Sequence, residues 1–455
     1  MRYVSTRGAS PELGFGDVLL AGLADDGGLY VPVEWPAIDT GPSDEYADVA
    51  ASVLAPYVAP DLTEAELVQL CRDSYAGFRH PEVAPLVEIG DDQWLLELFH
   101  GPTLAFKDMA LQLVGRMFDR LLERRDERIT IVGATSGDTG SAAIEGVRGC
   151  ERVQIVILYP EGRTSEVQRR QMTTVDAPNV HTLAVDGTFD DCQDLVKAMF
   201  ADRRFRESQR LSAVNSINWA RIIAQTAYHA SAASRMGRPI DICVPTGNFG
   251  NVLAGWIARH TGAEIDRLLV ATNSNDILTR FIRSRDMTTA GVVPTLSPSM
   301  DIQVSSNFER LLFEMNDRDG ERTAADLAQF RSDGHLDTSP EAFDRWIRPV
   351  FDSSSVDDAE TLAEIARVHR ETGMLIDPHT ATGTVVARRL AGNRPVVTLA
   401  TAHPAKFPDA VRQATGVHPE LPDELADLFD RPERITPVAN DLAAVEALVA
   451  ERCPI

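Results

Sequence analysis

Lysine is nearly missing from this 455-residue chain: Lys107, Lys197 and Lys406 are the only three among 44 basic residues, set against 68 acidic ones for a formal net charge of −24. A Walker phosphate loop needs Lys directly after Gly, whereas Phe106, Val196 and Ala405 precede the three lysines. P-loop NTPases are therefore excluded. No Lys/Arg cluster is dense enough to neutralise a run of phosphates, so neither nucleic acid nor an anionic lipid surface is an expected partner. Any anionic ligand must be held locally, against an unfavourable overall field.

Long apolar runs and paired cysteines are also lacking. The longest apolar stretch, around Val153–Tyr159, falls far short of the roughly 18–20 residues of a membrane span. The start, Met1-Arg-Tyr-Val-Ser-Thr-Arg, has no signal-peptide core, so a cytoplasmic location is expected. Cys71, Cys150, Cys192, Cys243 and Cys453 are odd in number, far apart and never in a C-x-x-C pair. That pattern indicates reduced thiols, without a disulfide framework or zinc ribbon. What is present, 44% hydrophobic and 25% charged residues, suits a folded multi-domain enzyme.

From about residue 91 the chain alternates short β-branched runs with Gly-rich or polar turns and amphipathic helices. Ile129–Ala134, Val153–Tyr159, Ile240–Pro245, Arg267–Thr272 and Val396–Thr401 read as buried strands. Alternation of this kind predicts an α/β fold with parallel sheets covered by helices. Residues 1–90 lack it and read as a separate N-terminal lobe with an acidic helix near Thr63–Cys71. Residues 91–235 and 236–455 read as a smaller and a larger α/β domain. The larger one contains a helical insertion at about 305–372, and the tail after His418 reads as one or two helices.

Four segments could carry chemistry. Lys107 follows Leu104-Ala-Phe at the entrance to a helix whose apolar stripe is Ala110, Leu111, Val114, Met117, Phe118, Leu121 and Leu122. A lysine there is ordinarily a solvated surface group. In a chain almost without lysine, and at a helix end whose dipole disfavours a cation, a Schiff-base amine of lowered pKa becomes the sharper reading. Gly247-Asn-Phe-Gly-Asn251 lies between a strand and a helix, where free amides can hold phosphate without lysine; it also suits a plain tight turn. Gly133-Ala-Thr135-Ser136-Gly137-Asp138-Thr139-Gly140 again follows a strand, and its hydroxyls suit a carboxylate or second phosphate, although Ser, Thr and Asp are equally ordinary helix caps. Thr401-Ala-His403-Pro-Ala-Lys406 closes the last strand. Ligands in open α/β sheets lie beyond such strand ends, and there His403 is either a base or a structural histidine.

At this point the motifs become recognisable. Tyr3-Val-Ser-Thr-Arg-Gly, Gly22-Leu-Ala-Asp-Asp-Gly-Gly-Leu-Tyr, Gly101-Pro-Thr-Leu-Ala-Phe-Lys-Asp, Gly133–Gly140, Gln168-Arg-Arg-Gln-Met-Thr-Thr, Asn215-Ser-Ile-Asn-Trp-Ala-Arg, Pro245–Asn251, Asp377-Pro-His-Thr-Ala-Thr-Gly and Thr401–Phe407 together resemble the longer threonine synthases over nearly the whole chain. The resemblance implies a fold-type II pyridoxal-phosphate enzyme, built like the tryptophan synthase β subunit from two parallel-sheet lobes. It also implies conversion of O-phospho-L-homoserine and water to L-threonine and phosphate by γ-elimination and β-addition of water. Lys107 would carry pyridoxal 5'-phosphate as a Schiff base, Gly247, Asn248, Phe249, Gly250 and Asn251 would hold its phosphate, and Thr401 would face its ring nitrogen. Thr135, Ser136, Gly137, Asp138 and Thr139 would grip the substrate. Asp138 stands where many fold-type II relatives have Asn. Arg163, Arg169, Arg170 and Arg221 are candidates for the leaving phosphate. A phospho-lyase releasing 2-oxobutyrate from the same substrate would share every cofactor motif, and a non-catalytic binding relative would have lost Lys107 or the glycine loop. The longer family members are often monomeric, so a monomer or weak homo-oligomer is expected.

Overall fold

The apolar runs expected to be strands form the centres of two parallel sheets in the computed structural model, which describes residues 1–455 except Pro42, Ser136 and Ile455. The larger sheet has six strands in the order Phe351–Ser355, Ile265–Thr272, Ile240–Pro245, Val396–Ala400, Gln93–Glu97 and Leu86–Gly90. Only the last pairing is antiparallel. The smaller sheet has five, Thr436–Val438, Val180–Val185, Val153–Pro160, Ile129–Ala134 and Leu211–Ser212, all parallel. Helices cover the sheets, so a central strand such as Ile240–Pro245 is buried at every residue. That accounts for its apolar reading without alternation.

Two segments cross the divisions expected from the sequence. Gln93–Glu97, on the 91–235 side, pairs with Val396–Ala400 in the larger sheet. Thr436–Val438, on the 236–455 side, pairs with Val180–Val185 in the smaller one. Strand character depends on local residues, whereas the choice of sheet depends on distant partners. Residues 305–372 contain the helices Phe308–Met315, Gly320–Asp333, Pro340–Trp346 and Asp358–Thr372. Within that segment, however, Phe351-Asp-Ser-Ser-Ser355 is an edge strand of the larger sheet. Three serines hide it from a β-branched reading; Ser353 Oγ donates to the Val270 carbonyl at 2.7 Å and stands 2.6 Å from Thr279 Oγ1.

The N-terminal lobe combines a three-stranded antiparallel sheet (Leu13–Gly14, Arg2–Ser5, Tyr30–Pro32) with helices Tyr46–Val58 and Glu64–Tyr75. A Thr63/Glu66 capping box starts the second. Both helices share one apolar core with Lys107–Arg125 and with Trp219–Met236, a helix buried from Trp219 through Ala233. The Lys107 stripe is buried as its period predicts, each large residue contributing roughly 1.5–3 kcal/mol. The lobe also grips the insertion: Thr6 Oγ1 and the Arg7 guanidinium donate to Glu309 at 2.6 and 3.0 Å.

Candidate active site

Lys107 begins its helix, and the turn before it is fixed by that helix's own second residue. Asp108 reaches back to accept from the Thr103 amide and hydroxyl, both at 2.7 Å. A side chain at Gly101 would come within 2.4 Å of Asp108 Cβ, so the turn requires glycine there. Phe106 N donates to the Thr401 carbonyl at 2.8 Å and His403 N to that of Leu104 at 3.0 Å. The lysine entrance is thereby tied to the carboxyl end of strand Val396–Ala400. The neighbouring strand in the sheet, Ile240–Pro245, ends in the glycine loop. Lys107, Thr401 and residues 247–251 are thus brought to one end of the larger sheet, where open α/β folds bind ligands.

Asp138 of the Thr135–Thr139 loop faces Lys107 directly, 3.3 Å from Nζ to Oδ2. The lysine side chain is only 12% exposed. Burial lowers its pKa, Asp138 opposes that shift, and Lys406 and Arg221 add to it. Burial alone would raise the Asp138 carboxyl, yet Lys406, Lys107 and Gln168 hold it well below the usual carboxylate range. Within the same loop Thr135 Oγ1 accepts from the Gly137 and Gly140 amides at 3.0 and 2.9 Å. Its hydroxyl therefore shapes the turn, while Thr139 is half-buried and makes no side-chain hydrogen bond among the described residues. At Gly137, with φ +153°, a Cβ would meet Gln168 at 2.5 Å. Ser136 lies outside the described residues.

The glycine loop presents its backbone and buries the side chains of Phe249 and Asn251. Phe249, at φ +62°, caps the helix Gly250–His260, and its ring packs against Phe308 and Phe351. A Cβ on Gly247 would stand 2.8 Å from the Ser299 carbonyl. Asn251 Oδ1 accepts from Tyr228 Oη at 2.7 Å, and its buried Nδ2 has no partner among the described residues. Among those residues, too, no acceptor engages the backbone amides of residues 247–252. A row of free amides with an orphaned amide nitrogen fits the phosphate of pyridoxal 5'-phosphate.

Support for this loop comes from the insertion. Ser305 Oγ donates to the Gly247 carbonyl at 2.5 Å, and Asn307 donates to that of Asn248 from N at 3.1 Å and from Nδ2 at 3.2 Å. The buried Arg310 orients Asn307 Oδ1 (2.5 Å) and also donates to the carbonyls of Ile217 (2.7 Å) and Tyr30 (2.9 Å). One side chain thus joins the N-terminal strand Tyr30–Pro32 to the residues that support the glycine loop.

Sequence reasoning missed these supports and, above all, the part played by Lys406, to which the Thr401–Lys406 segment assigned no role. Its side chain is fully buried, 2.9 Å from Asp138 Oδ1. Gln168 and Gln171, one turn apart on one helix, join the same cluster; that i, i+3 pair in the Gln168–Thr174 motif was the available signal. His403 Nδ1 accepts from Ala405 N and caps the turn Pro404–Lys406, and burial pushes its pKa down to about 4. That makes it structural and neutral. Of the four arginines, Arg163 is exposed, while Arg169 and Arg170 are held by Glu433 and Glu166. Arg221 differs. It is 2% exposed and donates to the Val214 carbonyl at 3.2 Å, its Nε has no partner, and no carboxylate pairs with it among the described residues. Burial pushes its pKa down to about 10.

Among the described residues no helix is long and apolar enough to cross a membrane, and no cluster suits a metal ion. Three family models match: "Threonine synthase N terminus" over residues 2–75, "Pyridoxal-phosphate dependent enzyme" over 81–402 and "Threonine synthase, C-terminal" over 380–449. The threonine synthase of Pseudomonas aeruginosa is 51% identical, with 99% of this chain and 98% of that protein aligned. A solved structure of pyridoxal-phosphate-bound threonine synthase from Brucella melitensis superposes with a TM-score of 0.97 at 49% identity, covering 100% of both chains. The yeast enzyme's structure gives 0.92 at 39% identity, covering 99% of this chain and 98% of that one. The chain belongs to the threonine synthase family, on the fold-type II scaffold of pyridoxal-phosphate-dependent enzymes.

Proposed function

We propose that this chain converts O-phospho-L-homoserine and water to L-threonine and phosphate. The observation that carries the reading is the pairing of two buried cations of different character: Lys107, held by one carboxylate, and Arg221, held by none. A buried guanidinium without a counter-ion is costly unless a ligand completes it. A phosphorylated substrate brings that anion, and bidentate contact suits guanidinium to it. Pyridoxal 5'-phosphate, when bound, supplies an electron sink beside the substrate's Cα. Lys107 would carry it, the amides of Gly247, Asn248, Phe249, Gly250 and Asn251 would hold its phosphate, and Thr401 would face its ring nitrogen. The free Lys107 amine, its pKa lowered by burial, removes the protons at Cα and Cβ. Thr135, Gly137, Asp138 and Thr139 line the substrate side, with Thr135 shaping the loop for its neighbours. The enzyme works in the cytoplasm on a small-molecule substrate, as a monomer or weak homo-oligomer, without nucleic acid or membrane.

The test is to incubate the purified protein with O-phospho-L-homoserine and quantify phosphate and organic product. Threonine equimolar with phosphate is expected. Phosphate accompanied by 2-oxobutyrate would replace this reading with a phospho-lyase.

A further inference from the structure

Lys406 contributes a second buried ammonium to the site. Its ammonium donates to the Thr103 carbonyl at 2.7 Å and to Gln171 Oε1 at 2.9 Å, and it forms an ion pair with Asp138 Oδ1 at 2.9 Å. Gln168 Nε2 donates to that same Oδ1 at 2.8 Å. One oxygen of Asp138 is therefore doubly clamped, and the other is left for Lys107 at 3.3 Å. Lys107 has no second hydrogen-bond acceptor among the described residues.

The charge count decides what this arrangement does. With both lysines protonated, Asp138 and its two partners sum to +1; with Lys107 neutral they sum to zero. Burial penalises the excess charge, and Lys406 is bound by three partners where Lys107 has one. Were Lys107 the sole partner of Asp138, the buried carboxylate would hold it as an ammonium. We propose that Lys406 is a positioning residue for Lys107: its ammonium neutralises and fixes Asp138, so that the carboxylate orients the Lys107 amine without holding a proton on it. The charged groups facing this cluster are Asp138 from the helix Asp138–Val147, Arg221 from Trp219–Met236, and Asp108 at the start of the Lys107 helix. Asp108 is committed to Thr103. The opposing influences of Asp138 and Lys406 on Lys107 agree with this geometry.

The importance of the device rests on Lys107 being the covalent lysine, but its test reads the amine itself. The full-length chain is stripped of cofactor and trace-labelled with acetic anhydride across a pH series, with mass spectrometry following each of the three lysines. In the unaltered protein Lys107 should become reactive at lower pH than exposed Lys197, and Lys406 should react least. In Lys406→Met the Lys107 midpoint should rise by about one unit or more, a roughly tenfold slower reaction at fixed pH. Lys406→Arg, which keeps the cation, should stay within about threefold of the unaltered protein, and adding Asp138→Asn to Lys406→Met should bring the midpoint back down. An unchanged or lowered Lys107 midpoint in Lys406→Met overturns the proposal. Should that variant fail to fold, Lys406→Gln replaces it. The unaltered protein is an independent check, because Lys107 titrating at or above Lys197 also overturns the proposal. Borohydride fixation of the cofactor on another lysine, with the labelling shifts as expected, would instead remove the function proposed above and leave this charge relationship standing.

Discussion

Replacing Gly115 with alanine inserts one methyl between the two helices that carry Lys107 and Asp138. The new Cβ would lie 1.9 Å from the Gly146 carbonyl oxygen and 2.6 Å from its carbon. Real Cβ contacts stay beyond 3.0 Å, so the helices must part by about 1 Å. Gly146 is equally constrained, since its own Cβ would meet the Leu111 carbonyl at 2.4 Å. Lys107 and Asp138 each lie eight residues before these glycines, about 12 Å along each helix. A separation forced at the crossing would therefore carry their 3.3 Å contact beyond hydrogen-bond range. Alanine gains up to about 1 kcal/mol in helix propensity, but overpacking against rigid backbone costs ~1–3 kcal/mol or more. A net loss of ~2 kcal/mol is expected. Urea denaturation of Gly115→Ala should show it, together with weaker absorbance of the lysine-linked cofactor and at least tenfold lower turnover. Gly77→Ala, with nothing within 4 Å of the added methyl, is the control and should stay within about 0.5 kcal/mol. Stability and turnover in Gly115→Ala matching the unaltered protein would refute the view that this crossing sets the lysine's geometry.

Three further outcomes follow from the same structure. Arg310→Met strips the buried donor from three acceptors; stability should fall by ~3 kcal/mol or more, and pyridoxal phosphate affinity, read by fluorescence titration, by about tenfold. Unchanged affinity would show that the cradle stands without it. Arg221→Met should leave the cofactor linkage intact while lowering kcat/KM for O-phospho-L-homoserine about 100-fold, and an effect below threefold would exclude Arg221 from phosphate binding. Burial lowers His229 and His403 from 6.5 to about 4. Between those values the unfolded chain binds more protons than the folded one, so stability is full above pH 6.5 and declines toward pH 4, by up to roughly 3 kcal/mol per residue. His403→Asn, which can still cap its turn, should flatten the urea-midpoint profile over that window; parallel profiles would contradict the assignment.

How much was legible depended on whether the information was local. The central strands, the Lys107 helix with its buried stripe and the glycine loop all follow from short-range pattern, because a buried parallel strand or helix face needs a continuous apolar run. Sheet membership did not: Gln93–Glu97 and Thr436–Val438 find partners some 300 and 250 positions away along the chain. The serine-rich edge strand Phe351–Ser355 was hidden because hydroxyl pairing, not β-branching, seats it. Lys406 was hidden because its meaning lies in Thr103, Gln171 and Asp138, which only the fold assembles. Gly115 and Gly146 carry no local mark, since their need is set by another helix's backbone.

The scarcity of lysine that opened the sequence also makes the central claim directly measurable. Borohydride reduction of the cofactor-loaded protein, followed by proteolysis and mass spectrometry, has three possible answers: Lys107, Lys197 or Lys406. The pyridoxyl-phosphate mass is predicted on the peptide containing Lys107 alone. Its appearance on Lys406 or Lys197, with Lys107 unmodified, would contradict the account of this site.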